Sequence, residues 1–460
     1  MTPMSLAHIA QRVNGRLHGT DGALQIEAVV TDTRRLDAAD TRGRLFVALA
    51  GANFDGHDHV ARAAELGARA ALVARPLDLP LPQIVVADPQ RALGQLAGAV
   101  QRARATCVIG ITGSNGKTSV KQLVVGILSR HAPTCFNPGN FNNEIGLPQS
   151  VLDAPEDAHF SVYEMGAGQP GDIAYLTGIA RPDIALVNNI APAHMERMGS
   201  LLGIADTKAA IYDALPVDGT AVINADDAFA PYFAERAHGH RLLRFGLDAT
   251  ADITATAIRS DATGSRFHLI TPAGEAEVAL PLPGRHNIRN ALAATAIALA
   301  VDVLLATIVA ALDAAEPVAG RLVRHTLRNG AVLVDDSYNA NPGSLLAAID
   351  TLAAQDGDRW LVLGDMRELG ADAAAMHGQA GLRAKAAGIA RLYALGPLSA
   401  EAATAFGDGA RHFDSHQALA DALQADLHDG ARLLVKGSRG SAMDRVVDAL
   451  LAVQGTHDAA

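Results

Sequence analysis

The sequence predicts an α/β protein built from three domains. The chain has 460 residues, too many for one ordinary core, so two to four domains are expected. Hydrophobic residues make up 49% of the chain, enough for a large buried interior. Short apolar runs alternate with longer helical patterns, and this alternation is typical of largely parallel sheets covered by helices.

Residues 1–105 predict a small α/β domain. Short apolar runs typical of strands are separated by Gly, Pro and Asp, and a helical pattern extends from His57 to Leu66. The four strand candidates lie at residues 28–30, 45–49, 70–73 and 83–86.

Residues 106–320 predict a mononucleotide-binding domain with a mainly parallel sheet. Apolar runs alternate with helical patterns, and the strand candidates lie at residues 107–111, 160–163, 184–187 and 221–223. Residues 252–282 differ, because their three short runs predict antiparallel strands appended to that sheet. These runs occupy residues 253–258, 266–270 and 277–280.

Residues 321–460 alternate in the same way and predict a Rossmann-like domain with a second doubly wound sheet. The strand candidates lie at residues 331–335, 360–363, 391–395 and 432–435. The helix candidates lie at residues 344–354, 371–387, 415–427 and 441–453.

Composition argues against several functional classes. The formal net charge is −11, and a nucleic-acid partner is not expected because binding a phosphate backbone requires a basic surface. The two cysteines, Cys107 and Cys135, cannot form a disulfide framework, which is typical of a reducing compartment. Residues 1–17 have no apolar core long enough for a signal peptide. We therefore expect a cytoplasmic protein.

Residues 291–312 resemble a membrane span in their hydropathy. The segment consists mostly of Ala, however, and Asp302 lies at its middle. A carboxylate there costs roughly 2.5–3.5 kcal/mol on insertion scales. Buried helices are therefore the favoured interpretation, and a membrane-embedded protein is the alternative.

A glycine-rich run between a strand candidate and a helical pattern predicts a phosphate-binding loop. Its residues are Thr112, Gly113, Ser114, Asn115, Gly116, Lys117, Thr118 and Ser119. Glycines let backbone N–H groups approach phosphate oxygens, Lys117 can reach the outer phosphates, and the Thr118 hydroxyl can hold Mg²⁺. The alternative is a glycine-rich turn with a solvated lysine, and the strict spacing is not met because position 111 is Ile. The run predicts nucleoside triphosphate binding but no particular reaction.

Two further strand candidates are followed by possible metal ligands. Glu164 comes directly after residues 160–163, and His194 lies in the loop after residues 184–187. Open α/β sheets bind ligands beyond the carboxyl ends of their strands, so both side chains can gather near Thr118. The alternatives are a glutamate that caps a turn and a histidine on an exposed loop. Together with a nucleotide site, the pair predicts a Mg²⁺ site.

Lys208 lies on the apolar face of a predicted helix. Its neighbours on that face are Ile204, Ile211 and Leu215, at the spacing of an amphipathic helix. One interpretation is a lysine whose ammonium reaches out to water. The other is a desolvated amine with a lowered pKa, able to react, which when carbamylated would serve as a carboxylate for a second Mg²⁺. The spacing alone leaves both open.

Taken together, these motifs resemble the Mur ligase family along nearly the whole chain. In the first domain the resemblance rests on residues 31–34, 45–49 and 54–58. In the central domain it rests on residues 112–119, 139–146, 164–167, 193–194, 208, 283–287 and 290. In the last domain it rests on residues 320–321, 335–342, 363–366, 368–370 and 436–439.

The resemblance implies a role for each domain. Residues 1–105 would bind the UDP end of the substrate, with Thr33 and Arg34 as candidate contacts. Residues 106–320 would bind ATP, with Asn287 and Asn290 near the adenine. Residues 321–460 would bind the incoming dipeptide and close over the ATP site, bringing Arg321 to the nucleotide together with Asp336. The remaining substrate contacts would be Asn140, Asn142, Asn143, Tyr338, Asn339, Asn341, Lys436, Ser438 and Arg439.

The resemblance also implies two metal ions and a catalytic set. Thr118 and Glu164 would hold one Mg²⁺, and Glu164, His194 and carbamylated Lys208 would hold the other. The implied catalytic residues are Lys117, Glu164, His194, Lys208, Arg321 and Asp336.

The activity implied is ATP-dependent ligation of D-alanyl-D-alanine to a UDP-N-acetylmuramoyl-tripeptide through an acyl phosphate, by a monomer active in cell-wall synthesis. The segment at residues 336–341 favours this acceptor, because a diaminopimelate-adding relative would carry Asp-Asn-Pro-Arg instead. A Gly-x-Gly-x-x-Gly fold near residue 10, typical of the first two ligases of the pathway, is absent. The alternatives are a related ligase with another acceptor and a phosphate-loop switch that binds ATP without acyl transfer.

Overall fold

The computed structural model describes residues 1–454 apart from residues 41, 52, 193 and 194. Three α/β units follow one another along the chain, each with its own main sheet. This confirms the predicted fold class. Each main sheet lies within one of the predicted ranges 1–105, 106–320 and 321–460, whose division into domains stays a prediction.

The first unit contains a five-stranded sheet in the order β2-β9-β8-β5-β4. Strands β4, β5, β8 and β9 are parallel, and β2 is antiparallel to β9. The strands are β1 Met4–Ser5, β2 Arg16–His18, β3 Gln25–Ile26, β4 Ala28–Val30, β5 Arg44–Val47, β6 Ala50–Gly51, β7 Phe54–Asp55, β8 Ala70–Val73 and β9 Gln83–Val85. The helices are α1 Leu6–Arg12, α2 Val60–Glu65 and α3 Pro89–Arg102, with 3₁₀ turns at Thr33–Arg35 and Gly56–His59.

The central unit contains a parallel six-stranded sheet in the order β11-β12-β10-β13-β14-β15 and an antiparallel sheet of β16, β17 and β18. The strands are β10 Cys107–Thr112, β11 Thr134–Phe136, β12 Phe160–Glu164, β13 Ile184–Val187, β14 Thr220–Asn224, β15 Arg241–Phe245, β16 Thr254–Ser260, β17 Ser265–Thr271 and β18 Gly274–Leu280. The helices are α4 Lys117–Leu128, α5 Gly146–Asp153, α6 Asp172–Ala180, α7 Met195–Met198, α8 Leu201–Asp213, α9 Ala230–Arg236, α10 Arg285–Ala300 and α11 Leu305–Asp313. The predicted parallel and antiparallel strands are confirmed.

The third unit contains a six-stranded sheet in the order β19-β20-β24-β21-β22-β23, parallel except for β19. The strands are β19 Val323–Thr326, β20 Val332–Asp336, β21 Asp358–Gly364, β22 Arg391–Leu395, β23 Ala410–Phe413 and β24 Ala431–Lys436. The helices are α12 Pro342–Ala353, α13 Ala373–Ala386, α14 Ser399–Phe406, α15 His416–Asp426 and α16 Asp444–Gln454.

The inner strands β10, β12, β13 and β14 of the central sheet are buried on both faces, and they are therefore mostly apolar runs rather than alternating patterns. One face packs against α4 and α10, and the other against α6 and α8. The hydrophobic core on the α6 and α8 face continues into the first unit, where α3 packs on α6. At that contact a Cβ on Gly94 would lie 2.3 Å from the Tyr175 hydroxyl, so a larger residue would require the Tyr175 side chain to move.

The segment that resembled a membrane span belongs to two helices, α10 and α11, as the favoured interpretation predicted. Asp302 lies between them with a φ of 58°, the left-handed conformation that commonly ends a helix. Among the described residues, no helix is both long and apolar enough to cross a bilayer.

Candidate active site

The carboxyl ends of β10, β12 and β13 meet at one edge of the central sheet, because the three strands are parallel neighbours. A cavity of about 1570 Å³ lies beyond this edge. Its walls come from the phosphate loop, from the loops after β12 and β13, and from the third unit. The lining side chains include Lys117, Asn140, Asn142, Asn143, Glu164, Lys208, Asn287, Asn290, Arg321, Asp336, Tyr338, Asn339, Asn341, Lys436 and Arg439.

The phosphate loop runs from the end of β10 into the first turn of α4. Gly116 has a φ of 77°, and a Cβ there would lie 2.6 Å from the side chains of both Asn188 and Asn290, so the position requires glycine. Residues 113–117 and Ser119 line the cavity at this helix start, and the N–H groups of a helix start favour an anion. Lys117 Nζ donates to Gly113 O at 2.8 Å.

Two asparagines after β13 brace the phosphate loop. Asn188 Nδ2 donates to Asn115 O at 3.0 Å and to Asn290 Oδ1 at 3.2 Å. Asn189 Oδ1 accepts from the backbone N–H of Asn115 at 2.9 Å. The sequence did not identify these residues as part of the site, although their position directly after a predicted strand was a usable signal.

Thr118 and Glu164 lie together, as the strand-end argument predicted. Thr118 Oγ1 donates to Glu164 Oε2 at 2.7 Å, and Asn142 Nδ2 donates to Glu164 Oε1 at 2.8 Å. Burial opposes ionisation of this carboxyl, but Lys117 and Lys121 outweigh it, so the pKa of Glu164 is below its usual value.

The donor set fits a hard divalent cation, because the hydroxyl and the carboxylate are oxygen ligands beside a phosphate loop. Within the described ranges no three His, Cys, Asp or Glu side chains form a metal-binding group. His194 lies outside the described residues. The roles of Thr118, Glu164, His194 and Lys208 as metal ligands stay predictions.

Lys208 is buried on α8 and lines the cavity, with 2% of its surface exposed. The interpretation of a lysine reaching bulk water is therefore wrong. Burial lowers the pKa of Lys208 to about 7, and the charge of Lys117 adds to the shift while Asp172 opposes it. Much of this amine is neutral near pH 7, and no hydrogen-bond partner of its Nζ occurs among the described side chains.

The third unit reaches the phosphate loop through two side chains. Arg321 Nη2 donates to Thr118 Oγ1 at 2.9 Å, and Asn341 Nδ2 donates to Asn115 Oδ1 at 2.6 Å. Asn341 also caps α12, since its Oδ1 accepts from Ser344 N. The resemblance implied a substrate contact for Asn341, whereas the structure shows it bonded to the phosphate loop.

A second carboxylate and lysine meet at the ends of β20 and β24. Lys436 Nζ lies 2.5 Å from Asp336 Oδ2 and donates to Asn339 O at 2.9 Å. Burial raises the pKa of Asp336 even though Lys436 opposes the shift. Tyr338 lies nearby, with the guanidinium groups of Arg321 and Arg439 at 4.6 and 5.2 Å from its ring.

The adenine candidates lie at the start of α10. Asn290 Nδ2 is 3.3 Å from Asn287 Oδ1, and both residues line the cavity. His286 lines it as well and was not identified as a site residue from the sequence. Burial lowers the pKa of His286 to about 4, and the charges of Lys436 and Arg289 add to the shift.

Three predicted contacts lie apart from this cavity. Thr33 and Arg34 belong to a 3₁₀ turn of the first unit, where the Arg34 side chain is 89% exposed and bonded to Asp32. Ser438 is buried, and its Oγ donates to Ala340 O at 3.0 Å and accepts from Arg367 N at 2.8 Å. Its contacts are those of a residue that holds the loop after β24 in place.

Known proteins resemble this chain in sequence and in structure. The Mur ligase middle domain matches residues 111–298, and the Mur ligase, glutamate ligase domain matches residues 320–439. The UDP-N-acetylmuramoyl-tripeptide–D-alanyl-D-alanine ligase of Escherichia coli K12 is 44% identical over 453 residues, covering 98% of this chain and 99% of that protein. The ligase of the same name from Haemophilus influenzae is 36% identical over 98% of this chain and 99% of its own length.

The fold also matches solved structures. A crystal structure of MurF from Acinetobacter baumannii has a TM-score of 0.92 and 33% identity, over 98% of this chain and 99% of that chain. The MurF ligase of Thermotoga maritima in complex with ADP has a TM-score of 0.83 and 26% identity, over 92% of this chain and 97% of that chain.

Proposed function

The chain belongs to the Mur ligase family, and we propose that it joins D-alanyl-D-alanine to UDP-N-acetylmuramoyl-tripeptide. ATP is converted to ADP and phosphate, and the product is the UDP-muramoyl-pentapeptide of peptidoglycan synthesis. Such a ligase serves cell-wall biogenesis and, through it, cell shape and division. The observation that carries this proposal is that the phosphate loop and the third unit line one and the same cavity.

ATP is needed because an oxide ion is a poor leaving group from a carboxylate. The terminal carboxylate of the tripeptide attacks the γ-phosphorus, the bond to the β,γ-bridging oxygen breaks, and an acyl phosphate and ADP form. The amine of the dipeptide then attacks the acyl carbon, the amide bond forms, and phosphate leaves. An α-amino group has a pKa of roughly 8, so the amine requires only a modest base for its proton.

The phosphate loop binds and orients the triphosphate. Residues at the start of α4, Lys117 among them, line the cavity, and their N–H groups and the ammonium of Lys117 would offset phosphate charge in the transition state. Thr118 and Glu164 would hold Mg²⁺, which supplies further neutralisation of charge on the transferring phosphoryl group. Asn287 and Asn290 are proposed contacts of the adenine.

Carbamylation of Lys208 is part of the proposal. Its buried amine has a pKa of about 7, so the neutral form is abundant enough to attack the carbon of CO₂. A nitrogen–carbon bond forms, one carbon–oxygen π bond becomes an oxyanion, and the nitrogen loses a proton. The resulting carbamate would offer a second carboxylate beside Glu164 for a metal ion, together with His194.

The third unit is proposed to enclose the nucleotide and to bind the incoming dipeptide. Arg321 already donates to Thr118, which brings a guanidinium to the phosphate end of the cavity. Tyr338, Asn339, Lys436 and Arg439 line the same cavity. Enclosure matters because water would hydrolyse an acyl phosphate. The UDP end is assigned to the first unit, near Thr33 and Arg34.

The decisive experiment is phosphate release measured with one amine at a time. The chain is incubated with ATP, Mg²⁺ and the UDP-tripeptide, and D-alanyl-D-alanine, diaminopimelate or glutamate is added separately. Release dependent on D-alanyl-D-alanine is expected. Running the assay with both the lysine and the diaminopimelate tripeptide identifies the third residue. Release with a different amine would assign another acceptor, and ATP binding without release would indicate a phosphate-loop switch.

We also propose a cytoplasmic monomer. The free cysteines Cys107 and Cys135 are consistent with a reducing compartment. Light scattering of the purified chain measures the mass directly, and twice the mass of one chain would contradict the monomer.

A further inference from the structure

Lys121 is a fully buried lysine that the proposed reaction does not use. It lies on α4 one turn after Lys117, and its side chain is 0% exposed. It does not line the cavity and therefore does not face the nucleotide. Burying an ammonium group is costly unless hydrogen bonds and an opposite charge compensate it. The contacts of Lys121 therefore indicate what this charge is for.

The ammonium of Lys121 connects α4 to two other elements of the central unit. Its Nζ donates to Asn137 O at 2.7 Å and lies 3.4 Å from Gly139 O, in the loop after β11. It also lies 3.6 Å from Glu164 Oε2, at the end of β12. An apolar side chain here would leave Asn137 O without this donor and Glu164 without this cation.

The loop held by Lys121 in turn holds Glu164. Asn137 is fully buried, its Oδ1 accepts from Glu164 N at 2.9 Å, and its Nδ2 donates to Glu164 O at 2.8 Å. Asn137 Nδ2 also donates to Phe141 O at 2.9 Å, which fixes the course of the loop. Both backbone groups of Glu164 are therefore fixed by one side chain.

The same loop also fixes the carboxylate itself. Asn142 Nδ2 donates to Glu164 Oε1, and Asn142 O accepts from Gly166 N at 2.8 Å. Thr118 occupies the other carboxylate oxygen. The orientation of the Glu164 carboxylate thus depends on this loop, and Lys121 attaches the loop to α4.

We infer that Lys121 is a positioning residue, which holds the loop at residues 137–142 and through it fixes Glu164 for a divalent cation. This inference rests on the proposed function, because it assigns Glu164 to the metal. A residue of this kind acts through its neighbour, and partners of metal ligands typically change metal affinity by about 10- to 100-fold when they are replaced.

The test measures binding of Mn²⁺, a paramagnetic substitute for Mg²⁺, in the presence of a non-hydrolysable ATP analogue. Lys121→Met removes the charge and the donor at nearly constant volume. Lys385→Met is the matched control, because Lys385 is exposed and donates to a backbone carbonyl, Asp408 O, far from the cavity. We expect the Mn²⁺ dissociation constant to rise by roughly tenfold in Lys121→Met and to stay unchanged in the control.

Hydrogen exchange provides a second measurement. The amides of residues 137 and 139–142 are expected to exchange faster in Lys121→Met than in the wild-type chain, because the attachment of their loop is lost. Lys121→Gln keeps a donor, buries no charge, and is expected to show a smaller rise in the Mn²⁺ dissociation constant. This variant serves as the test if Lys121→Met does not fold.

Wild-type Mn²⁺ affinity in both Lys121 variants, with only a lower melting temperature, would overturn the inference and leave the proposed function intact. A wild-type chain that binds no Mn²⁺ with the nucleotide analogue would overturn the metal assignment and the inference together.

Discussion

The central and third sheets each place a carboxylate at the cavity with a buried lysine beside it, but the two pairs are hydrogen-bonded differently. At the end of β12, Glu164 accepts from a hydroxyl and an amide, and Lys121 lies 3.6 Å away. At the end of β20, the carboxylate of Asp336 accepts from Lys436 alone among the described residues.

The difference shows how neutral donors change the state of a buried acid. Burial raises the pKa of both carboxyls, yet the pKa of Glu164 ends below its usual value and that of Asp336 above it. Two lysines and two neutral donors overcome the desolvation of Glu164, whereas Lys436 and Arg321 do not overcome that of Asp336. The lowered pKa favours the carboxylate form of Glu164, which suits a metal, whereas the raised pKa favours proton uptake by Asp336.

The largest expected effect comes from removing the carboxylate of Glu164. Glu164→Gln keeps the shape but not the charge, and kcat/KM for phosphate release is expected to fall by roughly a thousandfold. Glu235→Gln, at an exposed position of the central unit, is the control and should keep wild-type activity. Comparable activity in the two variants would remove the basis for treating Glu164 as a metal ligand.

A variant of Lys208 tests whether the proposed metal site of the central unit needs a second carboxylate. Lys208→Ala is expected to lower kcat by roughly a hundredfold, and acetate or another short carboxylate should restore part of it by occupying the position of the carbamate. Phosphate release is measured with and without the added acid. Full activity of the alanine variant without rescue would contradict carbamylation.

Replacing Lys436 should lower stability strongly, because no neutral donor among the described residues is bonded to the Asp336 carboxylate. Lys436→Met leaves Asp336 buried without its partner, and the free energy of unfolding is expected to fall by about 3 kcal/mol in urea titrations. Asp336→Asn in the same chain should recover much of that loss. A double variant no more stable than Lys436→Met would show that the two side chains are not coupled.

The smallest expected effect concerns His286, whose pKa is lowered by burial and by the charge of Lys436. Its pKa is about 4, below the ordinary 6.5, so the unfolded chain takes up the proton first as pH falls. The stability due to the neutral imidazole is complete above pH 6.5 and is lost progressively between pH 6.5 and 4. His286→Gln should lose less stability than the wild-type chain over this interval in thermal unfolding. Parallel profiles would contradict the shifted pKa.

The sequence was informative where burial is uniform. Strands β10 and β13 are apolar along their whole length because both faces of the sheet are covered, and their positions were predicted within a residue. Two edge strands, β11 and β23, were not predicted. Thr134–Phe136 and Ala410–Phe413 are short and partly exposed, and only the neighbouring strand determines that they are extended.

The candidate site was likewise predicted from the sequence only in part. Thr118 and Glu164 were expected to meet because strand ends of a parallel sheet share an edge. The contacts of Lys121 with Asn137 could not be predicted, since they depend on how a loop folds back over a helix. Residue type alone likewise could not show that Asn341 bonds to the phosphate loop while capping a helix of another unit.

The bonds of Arg321 and Asn341 to the phosphate loop span 203 and 226 positions of the chain. At a synthesis rate of roughly 5–20 residues per second, these side chains emerge about 10–45 seconds after the loop they contact. Domains generally fold as units in the order of synthesis, so the central unit, whose last helix is α11, can fold before the third unit has been synthesised in full. A central unit folded on the ribosome would present a phosphate loop that lacks its bond to Asn341.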